Sequence, residues 1–245
     1  MRSNRMRLHI GASRLHRWLA LIIGVQLLLW FTSGLVMSLL PIDRVRGEHL
    51  VERDAAGVLP VQAYAPLNQI ASGMPLRGAR YRLLLGRPVV EVETVSGELR
   101  LHDAATGAPL RAVDAAMALR IASAAYKGQT RSKPQVIRIT AASTEYKGRL
   151  PAWQVAFADD EATRVYVDDA GRIAAVRTGT WRFYDFFWAL HIMDWSEHEN
   201  FNTPWLKAFA VGGLMLAIAG TILLYLRWPR KQRRKTAGQA APMNR

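Results

Sequence analysis

Two long uncharged apolar runs, each closed on one side by a basic tail, constrain this chain more than any other feature. Residues 1–20 carry five arginines (Arg2, Arg5, Arg7, Arg14, Arg17) and no acid. Residues 227–245 carry seven basic residues (Arg227, Arg230, Lys231, Arg233, Arg234, Lys235, Arg245) and again no acid. These tails hold most of the formal net charge of +14, so the chain between them is close to neutral. Positive charge gathered beside apolar spans marks the cytoplasmic flanks of a membrane protein. A nucleic-acid binder would spread such charge over a folded face. The partners expected here are therefore the lipid bilayer and other proteins, not nucleic acid.

The first run, Trp18–Leu40, has only Gln26, Thr32, Ser33 and Ser38 as polar members. As a helix it is roughly 34 Å long, enough to cross a hydrocarbon core of about 30 Å. A signal peptide would have a shorter apolar region of about 7–15 residues and a small-residue cleavage site. Leu39-Leu40-Pro41-Ile42-Asp43 is a poor one, so the run reads as an anchor. The second run, Ala208–Leu226, is framed by Trp205 and Trp228, residues that suit the two interfaces. Its Gly213, Ala217 and Thr221 form a small-residue stripe, which either admits a neighbouring helix or reflects ordinary membrane-helix composition.

With both tails inside, residues 41–204 lie outside, enough for one or two small domains. The chain has no cysteine, so the outer part holds together without disulfides. Thiol chemistry, iron–sulfur clusters and cysteine-based zinc sites are excluded. Sliding the chain against itself by about 64 residues gives a consistent match. Leu101–Gly107 falls on Val165–Gly171, and Arg87–Val92 falls on Pro151–Ala156. Each copy reads as strand, strand, turn, strand, the last strands being Pro109–Val113 and Arg172–Val176. In the second copy Trp153, Val155 and Phe157 share one face, and Val165 and Val167 alternate with Arg164, Tyr166 and Asp168. A helix is expected before each copy, over Pro66–Ser72 and over Asp114–Tyr126. The latter has Asp114 as cap and Ala116, Leu119, Ile121 and Ala122 as its apolar face.

A helix followed by short strands that end in a Tyr-Val-Asp…Gly-x-Ile turn resembles a PepSY domain. Leu15-His16-Arg17-Trp18-Leu19 opens the first span, Ile42–His49 follows it, and Phe187-Trp188-Ala189-Leu190-His191 precedes the second. Together these resemble the PepSY-associated transmembrane proteins of bacteria, over nearly the whole chain. The resemblance implies α+β periplasmic PepSY-like repeats, each a helix plus a small antiparallel sheet, between two transmembrane α-helices of the inner (cytoplasmic) membrane. The expected organisation is a cytoplasmic tail (1–17), a first span (18–40), and a first unit with its lead-in (41–113). A second unit (114–180), an aromatic interfacial helix (181–204), a second span (205–226) and a cytoplasmic tail (227–245) follow. Larger members carry about four spans, and some resemble haem-bearing reductases of ferric siderophores.

That resemblance makes haem b the cofactor to consider, with the six histidines as ligand candidates. His16 sits at the inner end of the first span; the plainer reading is an interfacial residue beside Trp18. His191 shares a helical face with Trp181, Tyr184, Trp188 and Trp195, and Asp194 stands three residues on as a candidate orienter of its ring. The aromatics fit a wall around a flat cofactor, and equally a helix lying in the outer headgroup layer. Two axial nitrogens must lie about 4 Å apart, twice a metal–imidazole bond. Histidines at opposite faces of a bilayer of about 30 Å cannot share one iron. His191 would pair with His49, and His16 would need another subunit. His102 and His198 read as surface residues, and His9 as part of the solvated tail. There is no Gly-x-Ser-x-Gly, His-Glu-x-x-His, phosphate loop or dinucleotide fingerprint. Three functions remain open: a redox subunit linked to iron or siderophore reduction, an anchored module binding another envelope protein, or an accessory subunit, in each case with a protein partner or a second copy.

Topology follows from the charge bias. Reporter fusions after Gly57 and after Gln239 should place the first outside and the second in the cytoplasm. Periplasmic activity of the fusion after Gln239 would overturn the arrangement.

Overall fold

The computed structural model describes residues 2–53 and 57–227, with side chains from 16 to 53 and from 57 to 221. The basic segment 228–245, expected as a cytoplasmic tail, and the side chain of His9 lie outside the described residues. The chain divides into two compact units, Met1–Leu29 with Asn202–Arg245, and Trp30–Phe201.

The first unit is helical. Helix α1 (Arg2–Leu39) contributes its N-terminal part and helix α6 (Pro204–Arg227) the remainder. Both runs are long and apolar enough to cross a membrane. Pro204 occupies the first helical position of α6, and the Thr203 hydroxyl accepts the amide of Leu206, at 3.2 Å. Leu21, Ile22, Val25 and Leu28 of α1 are exposed, as are Leu214, Met215 and Ile218 of α6. Helices apolar on their outward faces suit a lipid surrounding. Ile23 is buried where α6 presents glycine. A β-carbon added at Gly212 would come within 2.6 Å of the Ile23 Cδ1 atom, and one at Gly213 would touch Leu27 at 3.8 Å. The close approach thus falls on Gly212 and Gly213. Further along the expected stripe, the Thr221 hydroxyl donates to the Ala217 carbonyl of its own helix (2.9 Å).

The second unit is α+β with two antiparallel sheets. After the last turns of α1 come α2 (Ile42–Val45) and α3 (Leu67–Ala71), then β1 (Leu76–Leu84), β2 (Arg87–Thr94) and β3 (Leu99–Asp103) in the order β1-β2-β3. Helix α4 (Ala115–Ala125) leads into β4 (Gln135–Ile139), β5 (Ala152–Ala156), β6 (Arg164–Asp168) and β7 (Ile173–Arg177), ordered β4-β5-β6-β7, and α5 (Gly179–Ile192) follows. The two sheets share a register frame: Val89 faces Asp103 and Ala152 faces Asp168. Each aspartate ends its strand by accepting turn amides, Asp103 from Ala105 and Thr106, and Asp168 from Ala170 and Arg172. The first turn holds one more residue, Asp103–Gly107 against Asp168–Gly171, so the sequence match slips there by one.

Ile70 of α3 covers Val90 and Val92 of the first sheet. Helix α4 covers Val155, Val165, Val167 and Val176 of the second. The Asp114 carboxylate caps α4 at the Met117 amide, 2.8 Å away. The buried face of α4 is Ala118, Ile121, Ala122 and Ala125; Ala116, expected in that face, is exposed. Burial follows i, i+3, i+4, i+7 from Ala118, a stripe that uniformly small and apolar residues do not reveal in sequence. The opposite face of the second sheet is also covered, by Tyr146 stacked on Tyr166 with ring centres 4.8 Å apart.

Two expectations about strands are corrected. Strands β1 and β4 each precede the strands read from the repeat. Pro109–Val113 is not a strand: Pro109 makes one bridge to His102, and the Val113 amide bonds across to Asp169, 3.1 Å away. Proline lacks the N–H that would extend the ladder. The two repeats dock through this crossing. Glu91 of β2, only 3% exposed, sits between the Nε atoms of Arg82 (3.3 Å) and Arg172 (2.7 Å). Gly171, with φ of +77°, is packed so closely that an added β-carbon would meet Leu84, Ile121 and Val113 at 3.0–3.3 Å.

Replacing Gly212 by Leu should separate α1 from α6 and lower the thermal unfolding midpoint of the detergent-purified protein. Gly220→Leu is the control, because nothing lies within 4 Å of that position. Equal effects from the two substitutions would show that the contact at Ile23 does not hold the pair.

Candidate functional site

The histidine on the aromatic helix is held by the C-terminal turns of α1. Helix α5 begins at Thr178, whose hydroxyl accepts the Trp181 amide at 3.1 Å. It ends at Met193, which adopts a left-handed conformation with φ of +54°. The last carbonyls of a helix lack partners within it. Trp30 of α1 supplies one, donating its indole N–H to the His191 carbonyl at 2.7 Å. The Ser33 hydroxyl lies 2.9 Å from His191 Nδ1 and 3.0 Å from the Trp30 carbonyl. Ser33 is fully buried, and Gly34 beside it leaves the His191 ring room, an added β-carbon there meeting the Cε1 atom at 3.6 Å.

This geometry suits one tautomer: with the Ser33 hydroxyl donating to a carbonyl of its own helix such as that of Trp30, its oxygen is free to accept from His191 Nδ1–H. The lone pair of the neutral ring is then on Nε2, the atom a metal ligand uses. The chain Nδ1–H to hydroxyl to carbonyl fixes the ring from behind, as the supporting shell of a metal-bound histidine does.

Asp194 does not perform that service. Because α5 stops at Ile192, Asp194 is not one helical turn beyond His191. Its Oδ1 accepts from the amides of Ser196 and Glu197 and from the Ser196 hydroxyl, and its Oδ2 from the amides of Glu199 (3.0 Å) and Asn200 (2.9 Å). These donors, the Asn200 amide foremost, hold its carboxyl far below the usual carboxylate range. Asp194 is the organiser of the segment 194–200, which folds back on α5. His198 sits 2.6 Å from Asp185, and the Trp188 indole donates to the His198 carbonyl at 3.0 Å.

His49 is exposed in the turn after α2, and the described side-chain contacts of His191 are with Trp30, Ser33 and Gly34 of α1. His16 belongs to α1 in the first unit. His102 is not on the surface: it is buried on β3, with Nδ1 3.1 Å from the Gly107 carbonyl. His198 is half-buried rather than free. Among the described residues no three His, Cys, Asp or Glu side chains gather as a metal site. The aromatic face is likewise divided. Trp181 lies under the Arg177 guanidinium (4.2 Å), Trp188 meets Phe201 edge-on (5.5 Å), and Trp195, beyond the helix end, is 61% exposed. Phe183 and Phe186 of α5 are exposed as well. The partners sequence reasoning missed are Ser33 and Trp30. Their only signal was a hydroxyl and an indole within an apolar run.

A family model described as the PepSY-associated TM region matches residues 13–244. The chain belongs to this family. It is accordingly a membrane protein, with PepSY-type α+β structure between two apolar helices. No curated protein and no solved structure matches it significantly.

The Asp194 assignment predicts a pH response. A carboxyl whose pKa is lower folded than unfolded stabilises the fold above its unfolded value of about 3.9, and loses that contribution as pH falls through the folded value. At neutral pH, Asp194→Ala should speed amide hydrogen exchange at Ser196, Glu197, Glu199 and Asn200, leaving β5 and β6 unchanged. Wild-type protein should keep this protection until well below pH 3.9. Unaltered exchange in the variant would refute the role.

Proposed function

We propose that this protein is an inner-membrane redox subunit, with both termini cytoplasmic and residues 41–204 periplasmic, in which His191 would help to hold a haem b at the outer membrane boundary. The observation that carries this reading is the Ser33 hydroxyl against His191 Nδ1, which leaves Nε2 as the ring nitrogen with no described partner. An imidazole held by Trp30 and Ser33 fits one ligand of such a group. When bound, haem supplies one-electron transfer, the chemistry ferric iron reduction needs. The chain's own residues hold and orient: Trp30 fixes the end of α5, Ser33 fixes the ring and its proton, and the aromatics of α5 provide apolar surface at the boundary. His49 on this chain or a histidine of a second copy would supply the further ligand, and His16 is the candidate ligand at the inner face. These requirements make a second copy or a membrane partner part of the reading.

A second reading is a membrane-anchored module whose tandem repeats bind another envelope component without redox chemistry. The arginine-lined cleft between the repeats, described below, favours it.

The purified full-length protein should show a Soret band that His191→Ala abolishes or shifts while the protein still inserts. Ser33→Ala should weaken haem retention about 10- to 100-fold, as loss of a supporting hydrogen bond does. Asp194→Ala should leave the spectrum in place. A colourless wild-type protein, or a spectrum indifferent to His191→Ala, would favour the binding module.

A further inference from the structure

The docking of the two repeats leaves a cleft of about 630 Å³ that the redox reading does not use. One wall is β1, from Arg80 to Leu84. Opposite are Ile121 and Ala125 of α4, and the β6–β7 turn with Gly171 and Arg172 closes one end. Ligand pockets commonly enclose about 300–1,000 Å³ and combine apolar walls with a few converging polar groups. The charged groups that line it are Arg53, Arg80, Arg82 and Arg172, with Glu52.

Their charges are not balanced. Arg82 and Arg172 share the one buried carboxylate of Glu91, and Arg82 also donates to the Ala170 carbonyl. Arg80 has no carboxylate partner among the described residues. Burial holds the Arg82 guanidinium below its usual range; the Asp168 charge opposes this and the Arg80 charge adds to it. Burial, Arg82 and Arg80 together depress Arg172 in the same way. The Asp168 carboxylate accepts from the amides of Ala170 and Arg172, and its charge offsets only part of the excess. Glu52, at the rim, is paired with Lys127 at 2.9 Å. Four arginines thus line a cleft whose remaining wall includes Leu84 and Ile121, and three of them, Arg80, Arg82 and Arg172, repel one another. Guanidinium is the side chain best matched to a carboxylate or phosphate, which it binds bidentately.

We propose that this cleft is a binding site for a small organic oxyanion, with its carboxylate or phosphate on Arg80, Arg82 and Arg172 and its apolar part along Leu84 and Ile121. Glu91 keeps Arg82 and Arg172 in place, and the charge it leaves uncompensated is what the ligand neutralises. Arg80 is the residue to vary, because it is exposed and holds no part of the fold together.

The test is calorimetric titration of the full-length detergent-purified protein with three probes: phenyl phosphate, inorganic phosphate and benzyl alcohol. Phenyl phosphate should bind one per chain and weaken as salt rises. Inorganic phosphate should bind at least about tenfold more weakly, for want of the apolar contact, and benzyl alcohol should not saturate. Arg80→Glu should weaken phenyl phosphate by about tenfold or more, the scale of a lost charge-assisted hydrogen bond, and Arg80→Lys by less. Both variants should unfold at the wild-type temperature. Absence of saturable phenyl phosphate binding, binding unchanged in Arg80→Glu, or equal affinity for inorganic phosphate would each overturn the assignment. The readout is heat, so it stands apart from any result on His191.

Discussion

The buried carboxylate of Glu91 is the interaction on which the arrangement of the second unit depends. A lone charge at that depth would be strongly destabilising, and it is tolerated because two guanidinium groups reach it from different repeats. Arg82 comes from the strand beside it and Arg172 from the turn of the other sheet. The ion pair therefore specifies how the repeats meet as well as offsetting the cost of burial. Apolar contact completes the junction, with Leu84 of the first repeat packed into the core that α4 makes with the second. Gly171 lets that turn come close, where any side chain would crowd Leu84 and Ile121.

The same economy of partners runs through the histidine site. A helix end needs acceptors and donors satisfied, and α5 ends against α1 rather than in solvent. Trp30 takes the carbonyl of His191, and Ser33 takes its ring nitrogen. A hydroxyl that donates to its own helix offers its oxygen to the ring, so backbone geometry favours a proton on Nδ1. Asp194 serves the next segment instead, collecting amides that would otherwise lack partners as the chain turns back over α5. Tautomer and loop are thus decided by separate groups that stand close together in sequence.

Much of the fold was legible because its signals are local. Uncharged length defined the apolar helices, and Asp114 marked the start of α4. The matched Asp…Gly turns marked the two repeats, since an aspartate that accepts turn amides needs only its next few neighbours. Strands β1 and β4 carried weaker patterns and were missed. Pro109 was read through its apolar neighbours although it cannot extend a ladder. Asp194 was misassigned because three-residue spacing implies a shared face only while the helix continues. Met193 ends it.

The sequence by itself determined that this chain has two membrane-crossing candidates, a disulfide-free segment between them and a tandem α+β pattern, because charge, apolar length and turn residues act over short distances. Only the tertiary structure decided which partner holds His191, that His102 is buried, and that four arginines line one cleft. Those outcomes rest on contacts between residues far apart in the chain, Ser33 with His191 and Glu91 with Arg172. Spacing carries no information about such pairs until the helices and sheets have packed.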